Sequence, residues 1–173
     1  MATVATSCKS QKGLIRISSR LSGVSMNSLS ITYSPPERFF QGGTALNRVL
    51  EEAPYQARCS DNKSAERKFF CKTALRFPYM QINRAGRVSW LIFDLDHVNA
   101  MIWEDAGLPP PNLIVRNPRN GHSHLFYAIS PVCTTEKARQ HPIDYMKAVY
   151  AAIAGCLKAD LAYNGGPVAK TPG

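Results

Sequence analysis

The chain has 173 residues, 45% of them hydrophobic, and a formal net charge of +9 with a pI near 9.5, so it is long enough for one globular domain with a real core and carries an attractive field for polyanions, nucleic acid being the commonest. Cys8, Cys59, Cys71, Cys133 and Cys156 are odd in number, scattered and without a C-x-x-C pair. That argues against a disulfide framework or a zinc site and for reduced thiols in a cytoplasmic protein, and no apolar run approaches the length of a membrane span.

Residues 1–36 hold Lys9, Lys12, Arg16 and Arg20 among many serines, with no acid before Glu37. This is the composition of a disordered basic arm, shared with organellar transit peptides, and Met26 offers a start downstream. After Pro35-Pro36 the composition becomes that of a folded unit, residues 37–173. Thr44–Ala53 and Ser64–Leu75 read as helices, the second with Ser64 able to cap it and Phe69-Phe70 on its inner side. Tyr79–Ile82, Val88–Asp96, Leu113–Arg116 and His122–Ile129 are rich in β-branched or aromatic residues and read as strands. Asn99–Ala106 is a short helix ended by Gly107 and the prolines Pro109 to Pro111. A longer helix starts near Pro142 and turns Ile143, Met146, Tyr150, Ile153 and Leu157 inward at helical spacing. A further strand is expected downstream of Asp160. Interleaved strands and helices make the class α/β or α+β.

Two stretches carry chemistry. In "SWLIFDLDHVNA" an apolar strand ends in Asp94 and Asp96, which alternation sends to one face at neighbouring heights. Anions so close are costly without a proton or a cation between them. A strand end in which Asp96 caps a helix accounts for one aspartate and not the other. In "RNPRNGHSHLFYAI" a turn of Asn117, Pro118, Asn120 and Gly121 leads into a strand that opens with His122, Ser123 and His124, the two imidazoles on one face. A lone strand histidine is usually a satisfied core residue; two at i and i+2 beside a turn suit a ligand or phosphate site. If these strands are neighbours, carboxylates and imidazole converge. Paired hard oxygen ligands suit magnesium or manganese, ions usually completed by substrate phosphates, which predicts a nucleoside triphosphate substrate. Asp160 is the best third acid, since Asp105 and Asp144 lie in helix-like sequence as surface charges.

Asp94-Leu95-Asp96, Gly121-His122-Ser123-His124-Leu125 and the later Asp160 resemble the three motifs of the archaeo-eukaryotic primase superfamily. More narrowly, "YQARCSDNKSA", "YMQIN", "WLIFDLDH", "WEDAGLPPPN", "NPRNGHSHLFY" and "VCTTEKAR" resemble its replicase branch, the replication initiators of colicin-E type plasmids, from about Tyr55 to the C-terminus. The resemblance implies an RRM-like palm, a mixed and mainly antiparallel sheet flanked by helices, and a primase-polymerase catalytic domain over residues 37–173. It implies a nucleotidyltransferase that makes a primer on single-stranded DNA, with two Mg2+ or Mn2+ ions on Asp94, Asp96 and Asp160 and the incoming nucleotide on His124. His122, Ser123, Arg116 and Lys170 are further nucleotide-binding candidates, although the lysine, asparagine, proline usual at Lys170 has Thr171 in its middle. Arg58, Lys63 and Arg119 are candidates for template phosphates, which forked guanidinium groups match. A monomer is expected, with replication-origin DNA recognised by helical parts that follow this domain in the branch.

Two rival readings use the same residues. His122 and His124 resemble the paired histidines of a rolling-circle nickase, which would need Tyr145 or Tyr150 as nucleophile, a bulky residue at Ser123, and leaves Asp94 and Asp96 unexplained. An RNA-binding sheet would stack bases on Phe126 or Tyr127, of which alternation exposes at most one.

Overall fold

The computed structural model describes residues 45–61, 67–163 and 168–172; the basic arm and Lys63 lie outside them. The class is α+β. In chain order the elements are α1 (Ala45–Glu52), β1 (Gln56–Ser60), β2 (Arg67–Phe70), α2 (Cys71–Ala74), β3 (Tyr79–Met80), β4 (Arg87–Leu95), α3 (Ile102–Asp105), β5 (Leu113–Arg116), β6 (Ser123–Cys133), α4 (Gln140–Leu157) and β7 (Ala169–Lys170). The strands form two sheets, ordered β2-β1-β3-β7 and β4-β6-β5, in which every pairing is antiparallel.

Strand β4 explains how the layers stack. Its Trp90 and Ile92 face a core shared with Val49 of α1 and with Ala57, Cys59, Met80 and Ala169 of the first sheet. Its Leu91, Phe93 and Leu95 face the other way, into a core closed by Ile153, Ala154 and Leu157 of α4. The second sheet therefore lies between α4 and the first sheet. A strand covered on both faces is apolar nearly throughout, which is why "SWLIF" shows no polar alternation. A bulge between Val88 and Trp90 is satisfied by Asn83, whose Oδ1 accepts from the Ser89 and Trp90 amides at 2.9 and 3.0 Å.

Of the helix expected over Ser64–Leu75, residues 64–66 lie outside the described residues, and the rest is not formed as one helix. Arg67–Phe70 is strand, bonded to β1 with Arg58 opposite Lys68 and Gln56 opposite Phe70, and only Cys71–Ala74 is helical. Pairing with β1, which periodicity did not reveal as a strand, outweighs local helix propensity here. Phe69 and Phe70 are consequently exposed instead of packed inside. Helix α4 begins two residues before Pro142, and the inward set expected on it is at least half-buried. Cys59, Cys71, Cys133 and Cys156 are free thiols, and no helix among the described residues is long and apolar enough to cross a membrane.

Candidate active site

Antiparallel register puts Asp94 of β4 directly opposite His124 of β6, on the face turned toward the first sheet, and both are 2% exposed. Strand β7 closes over them. The Lys170 amide donates to His124 Nδ1 at 3.1 Å, which leaves the ring proton on Nε2, and Nε2 lies 3.0 Å from Asp94 Oδ1. Lys170 Nζ donates to the same oxygen at 3.0 Å. Burial, the largest single influence, works against ionising Asp94, but His124 and Lys170 together outweigh it and hold the carboxyl well below the usual carboxylate range.

One step toward the strand end the pattern repeats in water. His122 Nδ1 lies 3.2 Å from Asp96 Oδ1, and the Asp96 side chain is 63% exposed. The two aspartates thus stand in successive carboxylate–imidazole rungs, one buried and one open. The turn before His122 is fixed by its asparagines: Asn117 Oδ1 accepts from the Arg119 amide at 2.9 Å and Asn120 Oδ1 from the His122 amide at 3.1 Å. Gly121 there has φ +75°, and a Cβ on it would come within 3.0 Å of Val98 Cγ1 and 3.4 Å of Arg116 Nη2, so the turn needs glycine. Ser123 points the other way, opposite Leu95, and is buried away from both histidines. Arg119 is exposed at the turn, and Arg58 is exposed on β1.

Asp160 is brought to the backbone of Asp94 by the chain that follows α4. Its amide donates to the Asp94 carbonyl at 2.9 Å, along the edge of β4 that no strand among the described residues covers, and its Oδ1 accepts from the Ala162 amide at 2.8 Å. Tyr150 ties this segment down: its single hydroxyl proton is shared between the Ile92 and Tyr163 carbonyls, at 3.1 and 2.8 Å. Burial, with Asp160 and Asp94 nearby, pushes the Tyr150 phenol up to about 12. The Tyr163 ring, 5.2 Å from that of His124 between centroids, covers the imidazole. Sequence reasoning named Tyr150 only as a candidate nucleophile and Tyr163 not at all, since each acts here through partners that only the fold brings near. The one signal was Tyr150's place on the inward stripe of α4.

The Tyr150 hydroxyl is engaged with backbone carbonyls, Tyr145 is 37% exposed, and Phe126 and Tyr127 are both buried, so neither of these last two forms a stacking surface. Asp105 is exposed, and Asp144 accepts from Gln140 Nε2 at 2.7 Å on the surface of α4, as expected of solvated helix charges. Among the described residues no group of at least three His, Cys, Asp or Glu side chains is arranged to hold a metal ion. What is assembled is two separate carboxylate–imidazole pairs, the buried one joined by the Lys170 ammonium.

Comparison with known proteins bears on this geometry through one family. No curated protein and no solved structure matches the chain. The model of the Replicase family matches residues 52–173, a span that takes in both rungs, Asp160 and Lys170. The chain therefore belongs to the Replicase family, proteins of DNA replication.

Proposed function

We propose that residues 37–173 are a primer-synthesising nucleotidyltransferase domain that begins DNA copying on a single-stranded template. The observation that carries this reading is the buried Asp94–His124 pair beside the open Asp96–His122 pair, in a chain of the Replicase family. A buried carboxylate kept ionised by neighbouring positive charge is a group held ready for a cation, and the open rung gives a ligand access.

In the reaction proposed, the 3′ hydroxyl of one nucleotide attacks the α-phosphorus of a triphosphate. The new P–O bond forms as the bond to the β-phosphate oxygen breaks, the hydroxyl loses its proton, and pyrophosphate leaves. Asp94 and Asp96 would hold Mg2+ or Mn2+ together with the substrate's own phosphates, with Asp160 alongside. Such an ion supplies acidity to the attacking hydroxyl and neutralises the leaving pyrophosphate. Lys170 now occupies Asp94 Oδ1, so it must hand that oxygen over, and its ammonium then meets a phosphate of the triphosphate. His124 keeps its Nε2–H toward the same ligand because the Lys170 amide fixes its tautomer. Arg116, whose guanidinium lies near Gly121 in the turn before His122, would meet the outer phosphates.

The test is primer synthesis from labelled triphosphates on single-stranded DNA with the parent, Asp94→Asn and Asp96→Asn. Both variants should lose at least a hundredfold in rate, an order typical of removing a group that stabilises the transition state; equal activity in all three ends the assignment. His124→Ala should chiefly weaken triphosphate binding.

A further inference from the structure

The first sheet presents a face that the site described above does not use. Ala57, Cys59, Met80 and Ala169 point from β1, β3 and β7 into the core. By alternation, Gln56 and Arg58 point away from it, and register places Phe70 opposite Gln56 and Lys68 opposite Arg58. All four are exposed, Phe70 at 54%. Tyr55, 79% exposed just before β1, packs its ring edge-on against Phe70 with centroids 5.2 Å apart. Two large aromatic rings left in water side by side on an outer sheet strand, next to an arginine and a lysine, are unusual on a surface with no partner. Beyond Arg58 the register passes through Ser60, which is buried: Ser60 pairs with Tyr79, and Tyr79 with Lys170, whose ammonium is bonded to Asp94. The strand order β2-β1-β3-β7 thus runs from the aromatic and basic pairs to the strand that carries Lys170.

We propose that this face binds single-stranded DNA, with bases stacked on Tyr55 and Phe70, phosphates on Lys68 and Arg58, and the strand running across the sheet toward Asp94. The inference rests on the nucleotidyltransferase reading for its direction and for the identity of the strand as template. The choice of occupant follows from charge and shape. Aromatic rings interleaved with cations, in a protein of net charge +9, match a polyanion with flat apolar faces. An apolar protein partner would have no use for the flanking basic pair.

The test measures affinity of the full chain for a labelled oligothymidylate by fluorescence anisotropy, without triphosphates, so that it does not depend on catalysis. Phe70→Ala and Tyr55→Ala should each weaken binding about tenfold. Phe70→Trp should keep the parent's affinity, whereas Phe70→Leu, which retains bulk without a flat ring, should not. Ultraviolet crosslinking of the unaltered protein to the oligonucleotide should map to Tyr55 or Phe70, which covers the case of a variant that fails to fold. Unchanged affinity in the alanine variants, or crosslinks confined to other segments, overturns the proposal even if the parent makes primers. A parent dimer that these substitutions split without altering DNA affinity overturns it as well. Binding that depends on Phe70 in a protein that makes no primer leaves the surface standing and removes the function proposed above.

Discussion

Asp94 is the residue on which stability and chemistry meet. Its carboxylate is buried, and the free energy that keeps it ionised comes from Lys170 and His124. Asn at this position keeps the shape but leaves the largely buried Lys170 ammonium without a counter-charge, a change that costs on the order of 3 kcal/mol. Urea denaturation at neutral pH should show that loss as a lower midpoint with an unchanged slope. The sign of the pH dependence follows from the direction of the shift. The unfolded carboxyl titrates near 3.8 and the folded one lower, so between those values the unfolded state binds more protons and stability rises with pH. The contribution is complete above about pH 4 and is lost in more acidic solution. Denaturation midpoints of the parent should therefore fall more steeply than those of Asp94→Asn as pH drops below that point; parallel curves would remove Asp94 as the source. Lys170→Met tests the other half of the pair. If Lys170 moves from Asp94 to a phosphate, this variant should raise KM for the triphosphate about tenfold or more, the worth of one charge-assisted hydrogen bond, with a smaller effect on kcat.

Helix α4 and the turn after it set where Asp160 stands. Lys158 closes the helix at φ +51°, and the amides of Lys158 and Ala159 bond to the carbonyls of Gly155 and Ala154, a Schellman pattern usually finished by glycine. A side chain in that left-handed conformation costs about 1 kcal/mol, so Lys158→Gly should raise the thermal midpoint by a few degrees. Tyr150→Phe removes the shared hydroxyl bond that holds Tyr163 and β4 together. It should cost about 1–2 kcal/mol and loosen the amide of Asp160 in hydrogen exchange. Elements governed by their own residues were readable from sequence: β4, β5 and the inward stripe of α4 follow from apolar pattern, and the same-face placement of Asp94 with Asp96 and of His122 with His124 follows from strand alternation. Elements governed by distant partners were not. Arg67–Phe70 has the composition of a helix and becomes strand only because β1 is there to pair with it. Lys170 reaches Asp94 across 76 residues of chain, a contact set by the docking of β7 on β3 and invisible to any local pattern.

At the scale of the whole molecule, charge and shape make separable contributions to holding a nucleic acid. Of the net +9, four charges lie in residues 1–36 with no acid among them, which leaves +5 for residues 37–173. Charges on a basic arm raise affinity for any polyanion without regard to base or site, and they do so through counterion release. Flat rings on the first sheet act by stacking, which salt screens little. The two should therefore separate when affinity for single-stranded DNA is followed against salt. Contact with about four phosphates gives a slope near −3 in log affinity against log salt, about a fifty-fold loss for a fourfold rise in salt. Exchanging Lys9, Lys12, Arg16 and Arg20 together for glutamine should make that slope shallower if the arm contributes. It should leave the penalty of Phe70→Ala as a ratio unchanged, because distant contacts add independently. Lys68→Glu should also flatten the slope, whereas Phe70→Ala should lower affinity by the same factor at every salt concentration. If Phe70→Ala flattens the slope and Lys68→Glu does not, the assignment of rings to bases and of cations to phosphates is reversed, and the strand does not cross the sheet in the way its register suggests.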